Sequence, residues 1–146
     1  MARAVLGMET NQITKSGKPY DLRKRLLEFA CDIVRVVQYL HTQGPIAKLL
    51  SDQVLKSGTS AGANYEEADD ASSPRDAASK RKIALRELKE TRFRLRVLRK
   101  SGFLTDIHDA VIAESDELVK IAAKILRNAA ARDPDPRNRP RRPEGA

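Results

Sequence analysis

The chain has 146 residues, enough for one domain, with 40% hydrophobic and 33% charged residues. That balance excludes wholesale disorder and allows a buried core without disulfides or metals. Three Phe, three Tyr and no Trp, with few β-branched runs, exclude a large sheet, and a formal net charge of +8 selects nucleic acid, an anionic membrane or an acidic protein surface as natural partner classes.

Residues 1–19 hold Gly7, Gly17 and Pro19 among polar residues and read as a flexible N-terminal arm, too short and mixed before Gly7 for a secretory signal. Asp21 is placed to cap a first helix. From Leu22 an apolar row recurs at helical spacing: Leu22, Leu26, Phe29, Ile33, Val37 and Leu40. A second row, Leu27, Ala30 and Val34, runs beside it, making the apolar face wider than one neighbouring helix needs. Thr42-Gln43-Gly44-Pro45 ends the helix near His41.

A second helix is expected from Pro45 to about Ala68, with Ile46, Leu50, Val54, Ala61, Tyr65 and Ala68 on one face. Its middle contains Gly58 and Gly62, each costing roughly 1 kcal/mol against Ala in a helix. Periodicity alone would break the helix there; close approach of another helix would keep it whole. Ser73 and Pro74 open a third helix, with Ala84, Leu88, Thr91, Leu95 and Leu98 as its core row and Gly102 as a left-handed stop. A fourth begins near Thr105, carries Ile107, Val111, Leu118, Ile121, Ala122 and Ile125, and fades at Ala129-Ala130-Ala131. Residues 132–146 are rich in Pro and Arg with no apolar row, and read as a disordered basic tail. The expected architecture is all-α: an antiparallel up-down-up-down four-helix bundle over residues 20–131, since the links are too short for long crossovers.

Signatures of chemistry are missing from the sequence. There is no phosphate-binding GxxxxGK[ST] or GxGxxG, no CxxC, and neither His41 nor His108 has a second ligand at helical spacing. No catalytic residue, metal ligand or cofactor is therefore assigned, and the expectation is a protein that is not an enzyme. Cys31 is the single cysteine; its place on the first helix reads as a buried structural thiol, and the absence of a disulfide pair fits a reducing, cytoplasmic setting. No apolar run reaches membrane-spanning length, so no membrane partner is expected.

The strongest signal lies in the third helix. Between Lys80 and Lys100 there are ten basic residues and two acids, Glu87 and Glu90, a net +8. At 100° per residue Lys82, Arg86, Lys89, Arg96 and Lys100 fall on one side with Phe93 among them, largely opposite the core row. Such a stripe, roughly 27 Å long at 1.5 Å per residue, can track phosphates, and an aromatic within it can stack on a base. Two other readings stand beside it. The arginines can pair with the acids of the second helix, Glu66, Glu67, Asp69 and Asp70, or they can dock an acidic protein. Glu87 and Glu90 read as ion-pair partners rather than an acid–base pair.

The run Leu55-Lys56-Ser57-Gly58-Thr59-Ser60-Ala61-Gly62-Ala63-Asn64-Tyr65-Glu66-Glu67-Ala68 resembles a bacterial family of four-helix bundle proteins first noticed as reading frames within intervening sequences of large-subunit ribosomal RNA genes. A second match runs from Ala84 to Leu98, notably Glu87, Glu90, Thr91, Arg92, Phe93 and Leu95, and the resemblance covers about residues 20–127. It implies one continuous second helix with Gly58 and Gly62 as close-packing points. Thr59, Ser60 and Asn64 would then lie at a packed seam, satisfied by neighbours such as Glu87 or Glu90. It implies a ring-shaped homopentamer occupying the wide apolar face of the first helix. A relative, the accessory protein of diversity-generating retroelements, resembles a basic barrel that binds nucleic acid and a reverse transcriptase. Two departures matter: Ala61 stands where the family prefers Val or Ile, and Arg94 and Arg96 make the third helix more basic than in a typical member. The expectation is an oligomeric scaffold that binds RNA or DNA, with an accessory role to an enzyme such as a reverse transcriptase as one use of it; the alternative is a protein-interaction module that docks an acidic partner.

Overall fold

In the computed structural model, residues 21–132 and Arg137 are described. The arm at residues 1–19 and most of the tail at residues 132–146 lie outside the described residues. Four helices follow one another: α1 (Leu22–Leu40), α2 (Pro45–Asp69), α3 (Pro74–Lys100) and α4 (Asp109–Arg132), the last preceded by a 3₁₀ turn at Asp106–His108. No strand occurs among the described residues. Consecutive helices pack along their lengths, and α4 returns to α1, so the four close into an all-α antiparallel bundle.

The helix ends follow from local chemistry. Asp21 accepts the Lys24 N–H at 3.2 Å, and Ser73 accepts the Asp76 N–H at 3.1 Å, each satisfying an orphan donor of a first turn. At the end of α3, Gly102 has φ +83°. The Phe103 N–H reaches the Leu98 carbonyl at 3.0 Å and the Gly102 N–H reaches Arg99 at 3.3 Å. This paired pattern closes a helix on a left-handed residue. The fourth helix starts later than its apolar pattern suggests, because Thr105–His108 form the tighter turn first. There the Thr105 N–H donates to Nδ1 of His108 at 3.0 Å.

Every member of the first apolar row of α1 and of the core row of α3 is buried. They meet Val54, Ala61 and Tyr65 from α2 and Leu118 and Ala122 from α4. The second helix is continuous through its glycines, and the reason is spatial. A Cβ built on Gly58 would lie 2.7 Å from Cγ1 and 2.8 Å from Cγ2 of Ile33. One built on Gly62 would lie 3.4 Å from Leu26 Cβ. Gly58 lets α1 sit closer to α2 than an alanine there would allow, whereas Gly62 leaves room for a methyl group.

Several expectations are corrected. Ile46 and Ile107 are exposed, since at each of these levels the neighbouring residue, Ala47 or His108, takes the inward position. Cys31 is exposed rather than buried. It lies four residues from Leu27 and three from Val34, on the outward row of α1, and these two are themselves 62% and 40% exposed. Thr59, Ser60 and Asn64 do not reach Glu87 or Glu90; they bond the carbonyls of Leu55, Ser57 and Ser60 in their own helix. A buried polar contact between α2 and α3 is instead made by Ser57 and Thr91, whose hydroxyls lie 2.8 Å apart.

A buried ion pair ties α1 to α4. Arg25, only 6% exposed, donates from Nε to Glu114 at 3.0 Å and from Nη2 at 2.6 Å. This two-pronged geometry keeps the guanidinium charged in spite of its burial.

Candidate nucleic-acid interface

The third helix is 27 residues long, and its inner row faces the core, so its outer face is presented along the whole bundle. The structure sorts the ten basic residues of Lys80–Lys100 into two sets. Five are paired with acids. Lys80 meets Glu67 at 2.9 Å, Arg81 meets Asp69 at 3.5 Å, Arg92 meets Asp116 at 3.1 Å, Arg94 meets Glu90 at 3.2 Å and Arg99 meets Asp109 at 2.9 Å. These pairs run sideways to α2 and α4 or along α3 itself. Hydrogen bonding to Glu67 holds the Lys80 ammonium above its ordinary range, and the Arg99 guanidinium holds the Asp109 carboxyl below its own.

The other five, Lys82, Arg86, Lys89, Arg96 and Lys100, are all exposed, and none has an ion-pair partner among the described residues. They are the five that share one side of the helix with Phe93, which is 67% exposed. The expectation that arginines of α3 pair with acids of α2 therefore holds for one flank, at Arg81, and fails along the stripe. Sequence reasoning found the stripe but not this sorting. The matching acids on α4, Asp109 and Asp116, are visible only once the two helices lie side by side.

The cations of the stripe are left in an unfavourable arrangement. Lys82 and Arg86, Arg86 and Lys89, and Arg96 and Lys100 stand three or four residues apart, where like charges cost about 0.2–0.5 kcal/mol per pair. At the opposite end of the charge scale, the open groove between the end of α2 and the start of α3 is lined by Glu66, Glu67, Asp70 and Asp76. Among the described residues no group of three or more His, Cys, Asp or Glu is placed to hold a metal ion. No described helix is long and apolar enough to cross a membrane.

Fold and site together define a basic helical bundle in which five cations without ion-pair partners among the described residues line one face of α3. Residues 18–124 match the model of the 23S rRNA-intervening sequence protein family, and the chain belongs to that family. Among solved structures it is similar to a protein of unknown function from the S23 ribosomal protein family of Bacteroides thetaiotaomicron. The identity is 34% and the TM-score 0.65, with 71% of this chain and 96% of that one covered. A search of curated proteins finds no match.

Proposed function

We propose that the protein is a non-enzymatic, oligomeric basic scaffold that binds RNA or DNA through the outer face of α3, acting as accessory to a partner enzyme such as a reverse transcriptase. The observation that carries this reading is the sorting of the cations: four of the paired five tie α3 to its neighbours and the fifth pairs within α3, while the unpaired five form a row facing water. Intramolecular stability does not explain a row of mutually repelling charges, whereas a phosphate backbone turns each of them into a favourable contact through counterion release. A family named for an intervening sequence of 23S rRNA is in keeping with a nucleic-acid setting. Self-association, as a homopentamer by resemblance, would multiply the stripe around a ring and cover the outward apolar row of α1.

The test is a binding assay with random RNA and DNA, comparing the natural chain with a variant carrying Lys82→Glu, Arg86→Glu, Lys89→Glu and Arg96→Glu. All four side chains are exposed, so the variant should fold. Loss of binding is the expected result. Full binding by the variant would sink the proposal, and no binding by the natural chain would favour docking of an acidic protein instead.

A further inference from the structure

The stripe has a feature that phosphate contacts do not use. Phe93 stands at its centre, with Lys89 four residues before it, Arg96 three after, and Arg86 and Lys100 each seven away. Seven residues is two helical turns, about 10.5 Å along the axis. The phenyl ring is therefore framed by two cations on each side. The acid nearest to it on α3, Glu90, is engaged by Arg94 at 3.2 Å and does not cancel the surrounding positive field. A Phe that is 67% exposed in a charged surface gains by covering its face.

The setting of α3 decides what kind of nucleic acid can provide that cover. The major groove of a duplex is about 12 Å wide and admits a lone helix. Here α3 is flanked along its length by α2 and α4, and the side pairs Arg81–Asp69, Arg92–Asp116 and Arg99–Asp109 bind it to them. It cannot enter a groove without carrying the bundle with it. Against a duplex the stripe would meet the phosphate rim, and the bases, stacked on one another, would offer Phe93 no free face. An unpaired base has such a face, and stacking on an aromatic ring is tolerant of sequence.

We infer that the stripe takes single-stranded nucleic acid, with an unpaired base stacked on Phe93 and the flanking phosphates held by Arg86 and Lys89 on one side and Arg96 and Lys100 on the other. This rests on the nucleic-acid reading above and narrows it to a substrate class.

The experiment uses the full chain with a labelled unstructured single strand and a duplex of equal length, followed by fluorescence anisotropy at fixed salt. The natural chain should prefer the single strand. Phe93→Ala should weaken single-strand binding by roughly 5- to 150-fold, the loss of one stacked base, while duplex binding changes less than about twofold on the same reasoning. Because the chain contains no Trp, Phe93→Trp supplies a single reporter. Its emission should be quenched by the single strand and unaffected by the duplex. Equal weakening on both substrates, no weakening on either, or unchanged tryptophan emission on single-strand binding would overturn the inference. A changed subunit count for Phe93→Ala by sedimentation would overturn it too, by placing Phe93 between copies of the chain. The four-Glu variant separates the two proposals. If it loses binding and Phe93→Ala does not, only the stacking inference falls; if it keeps binding, the nucleic-acid face of α3 falls with it.

Discussion

At the scale of single residues, the two glycines of α2 make opposite predictions. Gly58→Ala places a methyl carbon 2.7 Å from Ile33, a β-branched side chain with little rotamer freedom in a helix. Overpacking of about 1–3 kcal/mol should exceed the ~1 kcal/mol gained in helix propensity, for a net loss of stability. Gly62→Ala places its methyl 3.4 Å from Leu26, an ordinary contact, and should be neutral or stabilise by up to ~1 kcal/mol. Urea midpoints of the two variants check this, and equal shifts would contradict it. The Arg25–Glu114 pair gives a second contrast. Glu114→Ala strands a buried guanidinium and should cost about 3 kcal/mol or more, whereas Arg25→Met combined with Glu114→Leu should cost much less, because it removes both charges together.

His108 adds a pH dependence. Burial comes first among the causes that hold its pKa below the ordinary 6.5, and its Nδ1 accepts the Thr105 N–H only when unprotonated. Above the ordinary value both folded and unfolded chains carry neutral histidine, and this group makes no difference. As pH falls through 6.5 the unfolded chain takes up the proton first, so stability drops until the folded value is passed. A urea midpoint that declines between pH 7.5 and 5.5 is expected, with the decline reduced in His108→Gln. The same decline in both proteins would contradict the assignment.

At the scale of elements, much of the bundle is legible in the sequence because its determinants are local. The apolar rows, the Asp21 and Ser73 caps and the Gly102 stop each depend on residues within a few positions of one another. What is not legible depends on a second helix. Nothing within α2 says that Ile33 will press on Gly58, and the second apolar row of α1 does not announce that Cys31 stays outside the core. The Arg25–Glu114 pair did leave a signal. Arg25 lies three residues after Leu22 and four before Phe29, and Glu114 three after Val111 and four before Leu118, so each apolar row carries one charge of opposite sign. Two such intrusions imply each other as partners, since a buried charge alone is costly. The stripe was legible as a face of α3, but its division into paired and unpaired cations needed α2 and α4 in place.

At the scale of the whole molecule, the outward apolar row on α1 and the cationic row on α3 occupy helices that are not consecutive around the bundle. Self-association through the first leaves the second free. If copies associate through the α1 row as proposed, Leu27→Arg with Val34→Asp should yield monomers in sedimentation without unfolding the chain, and should raise the reactivity of the Cys31 thiol toward an alkylating reagent. An unchanged sedimentation coefficient would place the contact between copies elsewhere.

On the proposed function, the unpaired cations of α3 contact phosphates. The most direct measurement is the salt dependence of binding to a single strand, for which log K falls with log salt with a slope of about −0.7 per phosphate neutralised. Replacing Lys82, Arg86, Lys89 and Arg96 by Ala should make that slope shallower by about 2.8 per stripe engaged. A slope that stays the same after all four replacements would show that these cations do not contact phosphates.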